Sequence, residues 1–170
     1  MLKKLLLALF SLSSLIPCAR ADLKAGDEAP FFTLPRHDGK IFSLEERRNV
    51  GWTVLYFYPK AETPGCTKQA CAFRDAVAAI RQYNAEVFGI SSDTAQAQAA
   101  FHKNHSLQFP LLADPQAQVI SLYGARLPLV GLAKRWTFII DPELRIRAID
   151  KEVDPALDPE RVIETLKSLR

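Results

Sequence analysis

The chain has 170 residues, of which 24% are charged and 48% hydrophobic, and this size and composition are typical of one globular domain. The formal net charge is +3, but residues 1–21 carry three basic residues and no acid, so residues 22–170 are formally neutral. A neutral domain gives no reason to expect a nucleic-acid partner or stable association with an anionic membrane.

The first 21 residues have the pattern of a secretory signal peptide. Two lysines stand near the start, residues 5–16 form an apolar run, and small residues flank Arg20 directly before position 22. We therefore predict cleavage after Ala21, export to the periplasm and a single mature domain at residues 22–170. The apolar run is too short to span a bilayer comfortably.

Lipidation of Cys18 is the alternative for this segment, although Pro17 directly before it fits the pattern of a lipidated cysteine poorly. If cleavage follows Ala21, Cys18 leaves with the peptide. The mature protein then keeps one pair of cysteines, Cys66 and Cys71, and a pair in a small exported domain indicates a disulfide or a redox role.

The mature domain begins with two short predicted strands and continues into a longer one. Residues 31–34 and 41–44 are predicted strands, and Asp38-Gly39 between them favours a hairpin turn. Residues 52–58 are aromatic and β-branched, which predicts a strand buried on both faces of a central sheet. Pro59 ends this strand because it has no N–H to donate.

A helix is predicted to follow, with Thr63 at its N-cap and Pro64 in its first position. Cys66 then lies in the first turn. One face of this helix is apolar, through Phe73, Val77 and Ile80. Further strands are predicted at residues 86–91, 110–113, 135–141 and 144–151, and further helices from 94 to 105, from 114 to 123 and from about 159. This order predicts an α/β sandwich with a mixed central sheet flanked by helices.

The position of Cys66 favours reactivity. Unpaired N–H groups and the positive end of the helix dipole lie beside its sulfur, and both favour the thiolate, which is the nucleophile. The alternative is an inert cysteine of the hydrophobic core.

Cys71 lies five residues further along the same helix. In an intact helix the two Cα atoms are about 8.6 Å apart, whereas a disulfide requires roughly 7 Å or less. We therefore interpret the pair as a redox switch, helical when reduced and locally unwound when oxidised. A resting structural disulfide, which an oxidising compartment would favour, is the alternative.

These residues resemble the active site of a known family. The pattern Pro59-x-x-x-Thr63-x-x-Cys66 is similar to that of peroxiredoxins, and YPKAETPGCTKQAC resembles the peroxiredoxin Q, or bacterioferritin comigratory protein, branch. The likeness extends from about Ala25 to the C-terminus. It implies a thioredoxin-like fold with a short N-terminal β-hairpin and a thiol peroxidase in which Cys71 resolves oxidised Cys66.

The resemblance also implies individual roles. Cys66 attacks hydrogen peroxide or an organic hydroperoxide, and Pro59 shields the sulfur from water. Thr63 turns its hydroxyl toward sulfur and peroxide besides capping the helix; a capping role alone is the alternative. Arg135, which opens an Arg-x-Thr-Phe pattern, supplies a permanent cation, with a solvated surface arginine as the alternative. Lys134 then points away from the sulfur.

The branch implies no metal or organic cofactor, and an external thioredoxin-like dithiol as reductant. A monomer is expected, with a dimer as the alternative. The loop at residues 124–134 departs from the branch because it is apolar, which leaves the preferred peroxide and the subunit surface open. A subunit contact, a lid and a docking site are all compatible with such a loop.

The three histidines of the chain are not predicted to form a metal site. His102 and His105 lie at i, i+3 and are predicted to be exposed rather than to bind a metal, and His37 is predicted to be solvated.

Two other classes of thioredoxin-like protein are alternatives, although the spacing Cys-x-x-x-x-Cys fits neither. A periplasmic thioredoxin-like disulfide reductase requires Cys-x-x-Cys. A copper carrier of the Sco kind requires Cys-x-x-x-Cys and a distant histidine, and none follows His105.

Overall fold

The structure is a computed structural model, and it describes residues 22–169. The predicted signal peptide and Cys18 lie outside the described residues. The strands are β1 (Thr33–Pro35), β2 (Ile41–Ser43), β3 (Trp52–Phe57), β4 (Ala85–Ser91), β5 (Leu111–Ala113), β6 (Trp136–Ile140) and β7 (Ile146–Asp150). The helices are α1 (Pro64–Arg81), α2 (Ala95–Asn104), α3 (Gln118–Leu122) and α4 (Asp158–Ser168), with a short 3₁₀ turn at Glu45–Arg47.

The central sheet has five strands in the order β5-β4-β3-β6-β7. Strand β3 pairs in parallel with β4 and antiparallel with β6, so the sheet is mixed as predicted. Strands β1 and β2 form the predicted antiparallel hairpin outside this sheet. The order of strands and helices is that of a thioredoxin-like fold, which confirms the predicted fold class.

Helices cover both faces of the sheet, and β3 is buried between two hydrophobic cores. Each residue from Thr53 to Phe57 is buried. One core contains the predicted apolar face of α1 together with residues of α2 and α4, and the other contains the hairpin and α3. Burying each large apolar side chain contributes about 1.5–3 kcal/mol. These cores hold the end of β3 and the start of α1 in place.

Helix α3 is shorter than the sequence predicts. Ala117 has a left-handed backbone with φ of 53°, which prevents a helix from running continuously from position 114. The Asp114 carboxylate nevertheless accepts hydrogen bonds from the backbone N–H groups of Gln118 at 3.0 Å and Ile120 at 2.8 Å. It therefore caps the helix from a distance of four residues.

The apolar loop at residues 124–134 forms a small hairpin, because Leu127 N–H donates to the Leu132 carbonyl at 2.8 Å. Its tip exposes Leu129 fully and Val130 largely.

No helix within the described part of the chain is both long and apolar enough to cross a membrane.

Candidate active site

The start of α1 places Cys66 where the sequence predicts it. Thr63 occupies the N-cap position with an extended backbone, Pro64 follows inside the helix, and Cys66 lies in the first turn. The cysteine is 1% exposed. Its sulfur therefore lies within a hydrophobic core at the end of a helix whose first N–H groups have no intrahelical acceptor. Pro59, half-buried, separates β3 from the loop that precedes α1.

That loop is anchored by side chains of neighbouring elements. The Ala61 N–H donates to the Asp93 carboxylate at 2.8 Å. Glu62, with a left-handed φ of 62°, accepts a hydrogen bond from Asn104 and contacts His105 Nε2, each at 2.9 Å. These contacts connect the loop to the ends of β4 and α2, and they limit how far the start of α1 can shift.

The predicted capping role of the Thr63 side chain is wrong. Its hydroxyl makes no hydrogen bond to the first turn of α1, and instead donates to the Lys60 carbonyl at 2.8 Å. This bond closes the preceding loop rather than the helix. The hydroxyl oxygen that donates this proton keeps two acceptor sites and can still accept a hydrogen bond from a peroxide. The role of Thr63 toward peroxide therefore stays a prediction.

Arg135 lies directly against the sulfur. Its Nη2 is 3.4 Å from Cys66 Sγ, and the side chain is half-buried rather than solvated. Gly65 permits this approach, since a Cβ at position 65 would lie 3.3 Å from Arg135 Nη2. Lys134 points away as predicted, with Nζ 4.5 Å from the centre of the Trp136 ring. A permanent cation thus faces the cysteine.

Cys71 shares α1 with Cys66, and both cysteines are free. Cys71 is partly exposed, whereas Cys66 is buried. The helix is continuous between them, so their Cα atoms are held about 8.6 Å apart. A disulfide between them requires the intervening turn to unwind. The helical, unbonded arrangement agrees with the one predicted for the reduced pair, and the unwound, oxidised form stays a prediction.

Sequence reasoning missed a buried chain of hydrogen bonds behind Arg135. Arg135 Nη1 donates to Gln69 Oε1 at 2.5 Å, and Gln69 Nε2 donates to Asp158 Oδ2 at 2.6 Å. Thr137 Oγ1 donates to the same carboxylate oxygen at 2.8 Å. Gln69 is three residues after Cys66, and that spacing on one helix face was the available signal. Nothing in the sequence indicated Asp158.

The histidines differ from their predicted environments. His102 and His105 are half-buried rather than exposed. His102 stacks on His37 with ring centres 3.8 Å apart, and His37 Nδ1 accepts a hydrogen bond from the Leu111 N–H at 3.2 Å. Within residues 22–169, no group of three or more His, Cys, Asp or Glu side chains is arranged to hold a metal ion.

A thioredoxin-like fold with a buried cysteine in the first turn of a helix, facing an arginine, defines a class of thiol-dependent redox enzymes. Comparison with known proteins identifies the family. A family model described as the AhpC/TSA family matches residues 25–149. The chain therefore belongs to the AhpC/TSA family.

Its relatives are peroxiredoxins of the Q type. A chloroplastic peroxiredoxin Q from Populus jackii is 40% identical over 152 residues, which cover 88% of this chain and 70% of that protein. The crystal structure of peroxidoxin BcpB from Mycobacterium tuberculosis has a TM-score of 0.82 at 36% identity, covering 87% of this chain and 99% of that one. A variant of Xylella fastidiosa PrxQ has a TM-score of 0.81 at 27% identity, covering 88% and 98%.

The protein is accordingly a thiol-dependent peroxidase, an oxidoreductase of the peroxiredoxin class. These findings favour the peroxidase over the disulfide reductase and the copper carrier that the sequence left as alternatives. They also agree with the resemblance to peroxiredoxin Q that the sequence shows between Pro59 and Cys71.

Proposed function

We propose that Cys66 is the peroxidatic residue and that Arg135 stabilises its thiolate and the transition state. The distance of 3.4 Å between Arg135 Nη2 and Cys66 Sγ carries this proposal. The thiolate attacks one peroxide oxygen, the O–O bond breaks, and the second oxygen leaves as water or an alcohol after taking a proton. Cys66 becomes a sulfenic acid. The backbone N–H groups of Gly65 and Cys66 face the negative charge that develops on oxygen.

Hydrogen peroxide and organic hydroperoxides are the proposed substrates. A solved relative, the bacterioferritin comigratory protein of Xanthomonas campestris, has alkyl peroxide reduction activity. That protein has a TM-score of 0.79 and 25% identity to this chain. The two substrate types share the O–O bond and differ only in the leaving group, so the same geometry at Cys66 serves both. Pro59 is proposed to keep water from the sulfur.

The test is a stopped-flow measurement on the reduced protein, residues 22–170, mixed with hydrogen peroxide. We expect rapid consumption of the peroxide, and mass mapping of the product is expected to show a disulfide between Cys66 and Cys71. Oxidation as slow as that of a free thiol would contradict the proposed roles of Thr63, Cys66 and Arg135.

Cys71 is proposed to resolve the sulfenic acid. After the first turns of α1 unwind, the Cys71 thiolate attacks the Cys66 sulfur, the S–O bond breaks, and the oxygen leaves as water once protonated. An external thioredoxin-like dithiol then reduces the disulfide by two electrons. The partial exposure of Cys71 supports this step, since it leaves that residue accessible while Cys66 is buried.

Replacing Cys71 by serine is expected to separate the two steps. The variant consumes one equivalent of peroxide and then stops as a sulfenic acid, or oxidises further, because no internal thiol is present to form the disulfide. Peroxide stoichiometry and intact-protein mass measure this outcome. If the variant turns over at the parent rate with a dithiol, Cys71 is not the resolving residue.

Export to the periplasm with cleavage after Ala21 is also proposed, on the pattern of residues 1–21. Expression of the full chain in a bacterium with a periplasm is expected to yield a periplasmic protein beginning at Asp22, measured by intact mass after cell fractionation. A cytoplasmic protein with an intact N-terminus would contradict export, and a lipid-sized mass increase on Cys18 would support the alternative.

We propose that the enzyme acts as a monomer. The exposed tip of the loop at residues 124–134 is the surface that would pair in the alternative, a dimer. Sedimentation of the reduced and oxidised proteins distinguishes the two, and replacing Leu129 by serine would dissociate a dimer formed through this tip.

A further inference from the structure

We propose that Asp158 is a positioning residue of the peroxidase: through the Gln69 amide it holds the Arg135 guanidinium against the Cys66 sulfur. This inference rests on the proposed roles of Cys66 and Arg135. It adds a residue from the opposite end of the chain, which starts α4 and accepts side-chain hydrogen bonds from Gln69 and Thr137.

The hydrogen-bonding chemistry of the three side chains fixes their order. A carboxylate only accepts hydrogen bonds and a guanidinium only donates them, whereas an amide has one end of each kind. With Asp158 ionised, the Gln69 nitrogen must face Asp158, and the Gln69 oxygen then faces Arg135. The observed contacts have this orientation, at 2.6 Å and 2.5 Å. The carboxylate thus selects the single amide orientation that accepts from the arginine.

Burial makes this selection strong. Gln69 and Asp158 are both 0% exposed, and Thr137, which donates to the same Asp158 oxygen, is 2% exposed. Hydrogen bonds are stronger in such a low-dielectric region, and a reversed amide would leave unpaired donors there. Arg135 is therefore held by Gln69 through Nη1 and faces the Cys66 sulfur through Nη2. Because both nitrogens belong to one planar guanidinium, the bond at Nη1 also fixes the position of Nη2.

A cavity beside Asp158 connects it to the outer part of the fold. The cavity has a volume of about 190 Å³ and lies between β6, β7 and α4. Its lining includes Asp158, Thr137, Asp150 and Arg161. Asp158 Oδ1 has no hydrogen-bond partner among the described residues. A cavity of this size has room for water, which gives the carboxyl group a route for exchanging its proton.

The charge state of Asp158 changes within an accessible pH range. Burial raises the pKa of Asp158 to about 6, against the hydrogen bonds from Gln69 and Thr137, which lower it. The titratable and charged groups that face it from the surrounding elements are Tyr56 of β3, Arg135 before β6, Asp150 of β7 and Arg161 of α4. Below about pH 6 the neutral acid loses the charge that strengthens its hydrogen bond from Gln69 and gains an O–H that can donate to the amide oxygen, so its preference for one amide orientation is weaker.

The expected consequence is a loss of peroxide reactivity on the acid side. Above about pH 6 the ionised carboxylate holds Gln69 and Arg135 in place, and this contribution weakens as the pH falls through 6 because the hydrogen bond from Gln69 loses its charge assistance. Replacement of Asp158 by asparagine removes the ionisation while preserving shape. Asparagine presents both a donor and an acceptor to Gln69, so it no longer selects one amide orientation.

The experiment is a single-turnover stopped-flow measurement of peroxide attack on reduced protein between pH 5 and 8. We expect Asp158→Asn to slow the reaction about tenfold at neutral pH, equivalent to roughly 1.4 kcal/mol, and to lack the inflection near pH 6 that the parent shows. Asp150→Asn is the matched control. It lies in the same cavity wall but contacts Arg161 instead of Gln69. It is expected to keep the parent rate at neutral pH and to keep the inflection, moved to lower pH because the Asp150 charge raises the pKa of Asp158.

A double-mutant cycle separates positioning from general damage to the fold. If Asp158 acts through Gln69, then Gln69→Ala and Asp158→Asn are non-additive, and the double variant is no slower than Gln69→Ala alone. Asp158→Asn is expected to fold. Because burial raises the pKa of Asp158 from 3.8 to about 6, ionisation of this group costs folding stability as the pH rises between these values, and asparagine removes this cost. Additive effects would instead assign Asp158 to stability alone.

The outcomes distinguish this inference from the proposed function. A parent protein that reacts no faster than a free thiol contradicts the function. A fast parent with an equally fast Asp158→Asn variant and an unchanged pH profile overturns only the role of Asp158.

Discussion

Replacing Cys66 by serine is expected to reduce peroxide turnover to the level of the buffer alone. A serine hydroxyl is not ionised near neutral pH, and it cannot form the sulfenic acid through which the reaction proceeds. Steady-state consumption of hydrogen peroxide with a dithiol reductant measures the loss. The site itself is otherwise preserved, since serine is smaller than cysteine and Arg135 keeps its bond to Gln69.

The control is Cys71→Ser, which is expected to retain the first equivalent of peroxide consumption. Circular dichroism of both variants checks that the fold is intact. Turnover that survives in Cys66→Ser would move the nucleophile to another residue. A burst in Cys71→Ser without a burst in Cys66→Ser assigns the first step to Cys66, whatever the later steps are.

Replacing Arg135 by alanine is expected to slow peroxide attack by about 10²-fold, the size of effect seen when one preorganised donor is removed from a transition state. The guanidinium lies 3.4 Å from the sulfur and is always charged. Its loss therefore removes electrostatic stabilisation both from the Cys66 thiolate and from the negative charge that develops on the peroxide oxygen. Single-turnover stopped-flow on the fully reduced protein measures the rate.

Lys134→Ala is the matched control, because Lys134 is the adjacent cation but lies over the Trp136 ring on the opposite side of the strand. Its rate is expected to equal that of the parent. Arg135→Lys is expected to fall between the parent and Arg135→Ala, since an ammonium supplies charge but cannot contact Gln69 and the sulfur together as the planar guanidinium does. A parent-like rate in Arg135→Ala would contradict its role.

The proposed mechanism places two opposing requirements on the active site. Peroxide attack would need the first two turns of α1 rigid, with Cys66 and Gln69 both held by Arg135. Disulfide formation would need the same turns to unwind, because a continuous helix separates Cys66 from Cys71 by too great a distance. The contacts of Gln69 with Arg135 and Asp158 join these turns to β6 and α4, so the proposed mechanism requires these contacts to break between the two steps.

Local sequence patterns determined the strand, the turn and the helix around Cys66. The aromatic and β-branched run before Pro59, followed by Thr63 and Pro64, was sufficient to place the cysteine in the first helical turn, because these preferences act within a few residues. The same reasoning failed for the Thr63 hydroxyl. Its choice between the helix and the Lys60 carbonyl depends on the shape of the preceding loop, which Asp93, Asn104 and His105 hold from elsewhere in the fold.

The sequence by itself determined the class of fold, the pair of cysteines and the expectation that an arginine at position 135 faces the sulfur. Only the tertiary structure decided what stands behind that arginine. Gln69 and Asp158 are 89 positions apart, and no local periodicity connects them. They meet because α1 and α4 pack on the same face of the sheet, and a buried carboxylate finds partners only where packing brings donors to it.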